Sequence, residues 1–210
     1  MTRILSRRAA LAFAALAITI APALPGAAQQ QSPGTRIAGQ ITQADGDKLS
    51  IKGDNGQTVA VLLSADASVT NVVPAHLADI KAGRFVGTAA EPEANNRWRA
   101  TEVHIFPPGA RNGEGHYPWN TGRDATMTNA DVAAAAVKAG NGTMTLATGG
   151  QNYDFDVPPT TPIVAMTPGT RALVKKGAQV SIFRAQPGSA AGSYTANAIT
   201  VITARNWPPK

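Results

Sequence analysis

The sequence predicts an all-β chain of two small barrels in tandem, and three observations carry that reading. Apolar residues alternate over short runs, Gly, Pro, Asn and Asp punctuate the runs, and the runs return in the same order in the second half of the chain. After residue 28 no segment carries the long apolar stripe of a helix.

The first element is a leader. Arg3, Arg7 and Arg8 precede an apolar run from Ala9 to Ala21, and Pro22, Pro25 and Gly26 lead to Ala27 and Ala28. Basic, then apolar, then small is the order of a secretory signal peptide, here residues 1–28. The apolar run falls short of the roughly 20 residues that span a bilayer, and no Cys accepts a lipid, so no stable membrane anchor is expected. Ser6-Arg7-Arg8 fits the twin-arginine signal in part, with Ala10 where that signal usually has Phe; the general secretory route and the twin-arginine route both stay open. The expected location is periplasmic or secreted.

Export changes the charge argument. The chain carries 19 basic and 13 acidic residues, net +6. Three of the basic residues lie in the leader, which leaves 16 against 13, or +3. That is little for nucleic-acid binding, which needs a clustered basic face. With no Cys, disulfides, thiolate zinc sites and thiol catalysis are excluded together, and stability must come from apolar cores.

The first barrel is expected within residues 29–106. Ile37, Gly39 and Ile41 share one face of a strand, Leu49 and Ile51 one face of the next, and Val59, Val61 and Leu63 one face of a third. Asp45-Gly46 and Asp54-Asn55-Gly56 supply the turns, because these residues tolerate positive φ. Pro74 opens a short helical turn through Ile80, closed by Gly83. Phe85–Ala90 and Arg97–Phe106 are the fourth and fifth strands. Five strands with a helical turn between the third and fourth is the order of an OB-like barrel.

The second barrel, 129–210, repeats the first at an offset of about 95 residues. Lys48–Ile51 answers Thr143–Leu146, Ala78–Gly83 answers Ala172–Gly177, and Ala100–Val103 answers Ala196–Ile199. Tyr153, Phe155 and Val157 alternate at the third strand, with Asp154 and Asp156 on the opposite, outer face. Phe106-Pro107-Pro108 and Trp207-Pro208-Pro209 end the two copies alike. The expectation is thus two tandem OB-like small barrels with short helical turns, joined by an ordered Gly/Pro/aromatic linker over residues 107–128.

Leu77-Ala78-Asp79-Ile80-Lys81-Ala82-Gly83 between short strands, preceded by Gly-x-Ile and an Asp-Gly turn, resembles the bacterial domain of unknown function 5666. The resemblance covers Arg36–Phe106 and, less fully, Asn129–Ile202. It implies an exported, small OB-like barrel and carries no catalytic residues across.

Chemistry concentrates in the linker. Arg111, Glu114, His116, Tyr117 and Trp119 stand among glycines, and ordered loops of this length often bind. They are the candidate ligand or partner residues, with the role of simply pinning the linker to the barrels left open. His104 and Glu102 share the outer face of the fifth strand, and a reversal at Pro107-Pro108 would bring His104 towards His116. With Glu102 or Glu114 these would form a His₂-carboxylate set suited to a divalent transition metal. Met127, Met144 and Met166 lack ligand spacing, and Met144 reads as core filling. The second and third strands hold no aromatic on which a base could stack, and Arg97-Trp98-Arg99 reads as an exposed strand start. No Gly-x-Ser-x-Gly elbow, phosphate loop or dinucleotide fingerprint occurs, so no catalytic residue is assigned. The expected function is non-enzymatic: a periplasmic binding or adaptor module for a small ligand or protein, with metal handling through His104 and His116 as the alternative.

Processing should fall just before Gln29. N-terminal sequencing of exported protein checks this, and a mature form retaining Met1–Ala21 would refute it.

Overall fold

The computed structural model describes residues 34–119, 124–138 and 141–205. The leader, Asn120 of the linker and the Trp207-Pro208-Pro209 ending lie outside the described residues. The fold is all-β. Its strands are β1 Thr35–Asp45, β2 Lys48–Gly53, β3 Thr58–Pro74, β4 Phe85–Pro92, β5 Arg97–Ile105, β6 Gly115–Pro118, β7 Thr126–Lys138, β8 Asn141–Thr148, β9 Gln151–Val157, β10 Ile163–Pro168, β11 Gln179–Pro187 and β12 Ser193–Ile202. Single 3₁₀ turns at Leu77–Asp79 and Arg171–Leu173 take the place of the expected helical turns. Among the described residues no helix is long and apolar enough to cross a membrane.

Five strands close a barrel in the order β1–β2–β3–β12–β11, with β11 returning to β1. Its interior is filled by the alternating residues Ile37, Ile41, Leu49, Ile51, Val61 and Leu63, met by Val180, Ile182, Ile199 and Val201. A second ring of pairings runs β4–β5–β9–β8–β7 and returns to β4. Val86, Val103, Ile105, Val132, Met144, Leu146 and Phe155 pack inside it. Met144 is core, as its alternation with Leu146 predicts, and Val61 and Phe155 are buried as expected.

The expected division into a barrel of 29–106 and another of 129–210 departs from these pairings. Each ring takes three strands from one half of the chain and two from the other. The reason is β3, which does not stop near Leu63 but runs to Pro74. Its second half keeps β12 on one side as far as Val72 and takes β10 on the other, antiparallel, with Val72 opposite Met166. The chain then turns at Gly83, whose φ of 76° suits a residue without Cβ. It docks on β7, with Gly83 N–H donating to Val132 O at 2.9 Å and Val132 N–H to Arg84 O at 2.8 Å. The other half makes the same bonds in mirror: Gly177 N–H to Ile41 O at 2.8 Å and Ile41 N–H to Ala178 O at 2.9 Å. β1 and β7 also shift register beside these bonds, after Ile41 and after Val132. The linker is shorter than expected, since β7 begins at Thr126 and β6 lies within it.

Phe155 is wholly buried at the centre of the second ring. Phe155→Ala should cost about 3–5 kcal/mol, the range for a filled aromatic core site, read as a lowered urea midpoint. A loss under about 1 kcal/mol would mean the ring is not the packed core described.

Candidate functional site

The linker lies along the second ring as an added strand. β6 pairs antiparallel with β7, Gly115 opposite Asn129, His116 opposite Thr128 and Tyr117 opposite Met127. One row of residues therefore crosses four strands: His104 on β5, Gly87 on β4, Asn129 on β7 and Gly115 on β6. Two of the four have no side chain, and this shapes the site. A Cβ on Gly87 would stand 1.9 Å from His104 Nε2 and 2.3 Å from Asn129 Oδ1. The imidazole and the amide, two strands apart, meet over the space that glycine leaves, and they are hydrogen-bonded.

Asn129 ties this pair to the linker. Its Nδ2 donates to Gly113 O at 2.9 Å and to the Tyr117 hydroxyl at 2.8 Å. Arg111 fastens the loop from outside, with Nη1 and Nη2 on the two Asp131 oxygens at 3.0 and 2.7 Å and Nε on Glu114 at 3.2 Å. Its guanidinium lies over Phe85, 4.9 Å from the ring centroid, and these carboxylates raise its already high pKa. Phe85 packs on Phe106, and Phe106 edge-on against His104 at 5.1 Å. Of the five expected ligand residues, Arg111, Glu114 and Tyr117 thus spend their polar groups inside the protein. Trp119 is held by its N–H on Ala125 O at 2.7 Å and presents part of its ring to solvent.

His116 faces the other way. Its Nδ1 is 2.8 Å from the Thr128 hydroxyl, its ring stacks on Tyr153 at 4.2 Å, and Trp98 meets it edge-on at 5.0 Å. These rings close one end of the second core. The expected metal set of His104, His116, Glu102 and Glu114 is not assembled: adjacent residues of a strand face opposite sides, and His116 follows Thr128 while His104 follows Asn129. Among the described residues no group of three or more His, Asp or Glu is placed to hold a metal ion. Asp154 and Asp156 point outward as expected, to Thr145 and to Arg97, and Arg99 pairs with Glu93.

A groove of about 320 Å³ lies on the first ring, where sequence analysis placed no site. It runs over the outer face of β2, β3 and β12, between the Asp45–Lys48 turn and the loop after β11. Ser50, Ser193 and Thr195 offer hydroxyls, Gln43 an amide, Asp45 a carboxylate and Lys48 an ammonium; Tyr194 borders the groove, with its ring on the core side opposite Val61. Leu62, half exposed, forms part of the wall. Turn chemistry and alternation mark Asp45, Leu49 and Val61 in the sequence but give no sign of the groove, because the Gly188–Gly192 loop that completes it arrives from the far end of the chain.

Compared with family models, characterised proteins and solved structures, the chain matches none.

Buried His104 and half-buried Glu102 carry two opposing responses to pH. Burial holds His104 down to about 4, against its hydrogen bond to Asn129, and pushes Glu102 up to about 7, against the pull of Arg36. As pH falls from 6.5 to 4 the unfolded chain takes a proton at His104 that the folded chain refuses, so stability is lost. As pH rises from 4.5 to 7 the unfolded chain gives up a proton at Glu102 that the folded chain keeps, so stability is lost in that direction as well. The two slopes oppose each other between pH 4.5 and 6.5. His116, also held down by burial, and Asp156, held down by Arg97, add to the loss on acidification, so Glu102→Gln, which removes the opposing slope, should make the urea midpoint fall more steeply as pH drops. Parallel curves for the two proteins would contradict the assignment.

Proposed function

We propose that the protein is an exported, non-enzymatic binding module. It is built from two OB-like barrels of one duplicated unit, akin to the bacterial domain of unknown function 5666, and takes a hydroxyl-rich chain such as an oligosaccharide in the groove of the first ring. The observation that carries this is where the groove lies. OB-type barrels bind oligonucleotides and oligosaccharides on the face of their second and third strands, between the loop joining strands one and two and the loop joining strands four and five. Here the groove lies on β2 and β3, flanked by the β1–β2 turn and the β11–β12 loop. The lining favours sugar over nucleic acid. Phosphate chains call for several cations and successive stacking rings, whereas this lining has one Lys, one Asp, one Tyr and several hydroxyl and amide groups. No observation in the structure favours the metal-handling alternative.

Titration of the exported protein with a neutral oligosaccharide series, followed by intrinsic fluorescence, tests the reading. Thr195→Arg, on the outer face of β12, should weaken binding at least ten-fold. Ser50→Arg, which fills the groove from β2, provides an independent variant. Tighter binding of a single-stranded oligonucleotide than of any saccharide, or saccharide binding untouched by both variants, would overturn it.

A further inference from the structure

The two halves share one pattern of pairing, with β9 and β10 together answering β3 and an added register shift between Thr35 and Ile37 of β1, and they differ at one edge. On the second ring, Thr126–Asn129 of β7 is paired on one side with β4 and on the other with β6. The matching stretch of the first ring is Thr35–Ala38 of β1, since both precede the same register shift and both pair with the first strand after a Gly turn. On one side Thr35–Ala38 is paired with β11; on the other, β2 begins only at Gly39, and among the described residues no strand lies there. Thr35 and Arg36 are exposed. Among the described residues, the position that β6 fills on one ring is unfilled on the other.

We propose that the Thr35–Ala38 edge takes an extended strand of a partner polypeptide, antiparallel, as β6 lies on β7, with aromatic side chains at successive positions. The internal pair specifies that chemistry. On the second ring His116 enters the end of the core beside Thr128, Trp98 and Tyr153. The matching residues of the first ring are Ile37, Tyr194 and Val59, an apolar mouth suited to an aromatic or aliphatic side chain. The next residue of the incoming strand lands beside Arg36, as Tyr117 does beside Met127. Arg36 lies 5.3 Å from the Phe183 ring, and Phe183 is 59% exposed. A guanidinium and an exposed ring side by side offer an aromatic partner both cation–π and ring contact. In the next row, small Ala38 separates the unfilled position from Ser181, whose hydroxyl is buried and has no hydrogen-bond partner among the described residues. In the second ring this row carries Asn129 where the first has Ala38, so the guest strand lies beside a short side chain there. Unpaired main-chain groups then supply affinity and the alternating pockets supply selectivity.

This inference rests on the export reading in one respect. A strand of this chain placed before β1 as β6 is before β7 would be residues 24–27, within the leader that processing removes.

The test uses the exported protein, isotopically labelled, and a peptide copying residues 113–119, Gly-Glu-Gly-His-Tyr-Pro-Trp. Amide shifts should change at Thr35–Ala38 and Phe183, the Thr35–Ala38 amides should gain exchange protection, and Arg36→Glu and Phe183→Ala should each weaken binding at least ten-fold. Both side chains are exposed; because Arg36 also acts on Glu102, the urea midpoint of Arg36→Glu is read beside its binding to separate folding from recognition. No shift at this edge, a shift elsewhere, or binding unaltered in both variants would overturn the proposal. So would the same shifts arising with protein concentration alone, which would assign the edge to a second copy. The intact mass of the same sample reports the N-terminus, so a retained leader counts against export and not against the edge.

Discussion

The antiparallel pairing of β3 with β10 is the constraint on which the rest of the structure depends. It carries each half of the chain out of the ring it began and into the other. Val69 O accepts from Gly169 N–H at 2.8 Å, and Ile163 O accepts from Ala75 N–H at 2.9 Å. These are the same bond made twice across Val72 and Met166, which face each other in the pair. Beyond it β12 runs parallel to β3, and β5 runs parallel to β10. Each third strand thereby gains a neighbour from the opposite half. Were β3 to end at Leu63, neither crossing would form and the 3₁₀ turns would have no strand of the other half to land on.

Much of this was legible in the sequence, because it was local. Alternation placed Ile37, Ile41, Leu49, Ile51, Val61 and Phe155 inside, and Asp154 and Asp156 outside. The Gly83 and Gly177 turns stand where Lys81–Gly83 and Lys175–Gly177 predicted equivalents. The exchange of strands was not legible, since alternation states which face is buried and not whose core receives it. Ser64–Pro74 mixes Ser, Asp, Thr and Asn with small apolar residues, which reads as a loop until β10 and β12 flank it. The metal set failed for a related reason. Period two placed His104 on the outer face correctly, but which side of β7 His116 would take depended on the register of β6.

The two rings share a frame and differ in what covers it. At one row the second ring has His104, Gly87, Asn129 and Gly115, where the first has Thr200, Ser181 and Ala38. The second ring turned that row into a buried polar network by removing a side chain at Gly87 and laying the linker over it. A half-satisfied network is costly in a low-dielectric setting, so His104, Asn129 and Tyr117 form an interdependent set. The first ring kept short residues there. One ring is thus braced by its linker, while the other, among the described residues, has no counterpart of β6 and carries a groove.

The exchange of strands also sets the order of events during folding. The first ring cannot close until β11 and β12 exist, and its opening strand β1 must find β11 from the far end of the chain. Contacts of such long sequence separation make folding slow, because loop-closure entropy is lost before the contacts form. A chain emerging N-terminus first holds an incomplete first sheet throughout its synthesis, with Ile37, Ile41 and Leu49 uncovered until the last fifty residues arrive. Such a chain is kept from premature closure by its own topology, and both cores are completed only when the last strands of the chain are in place.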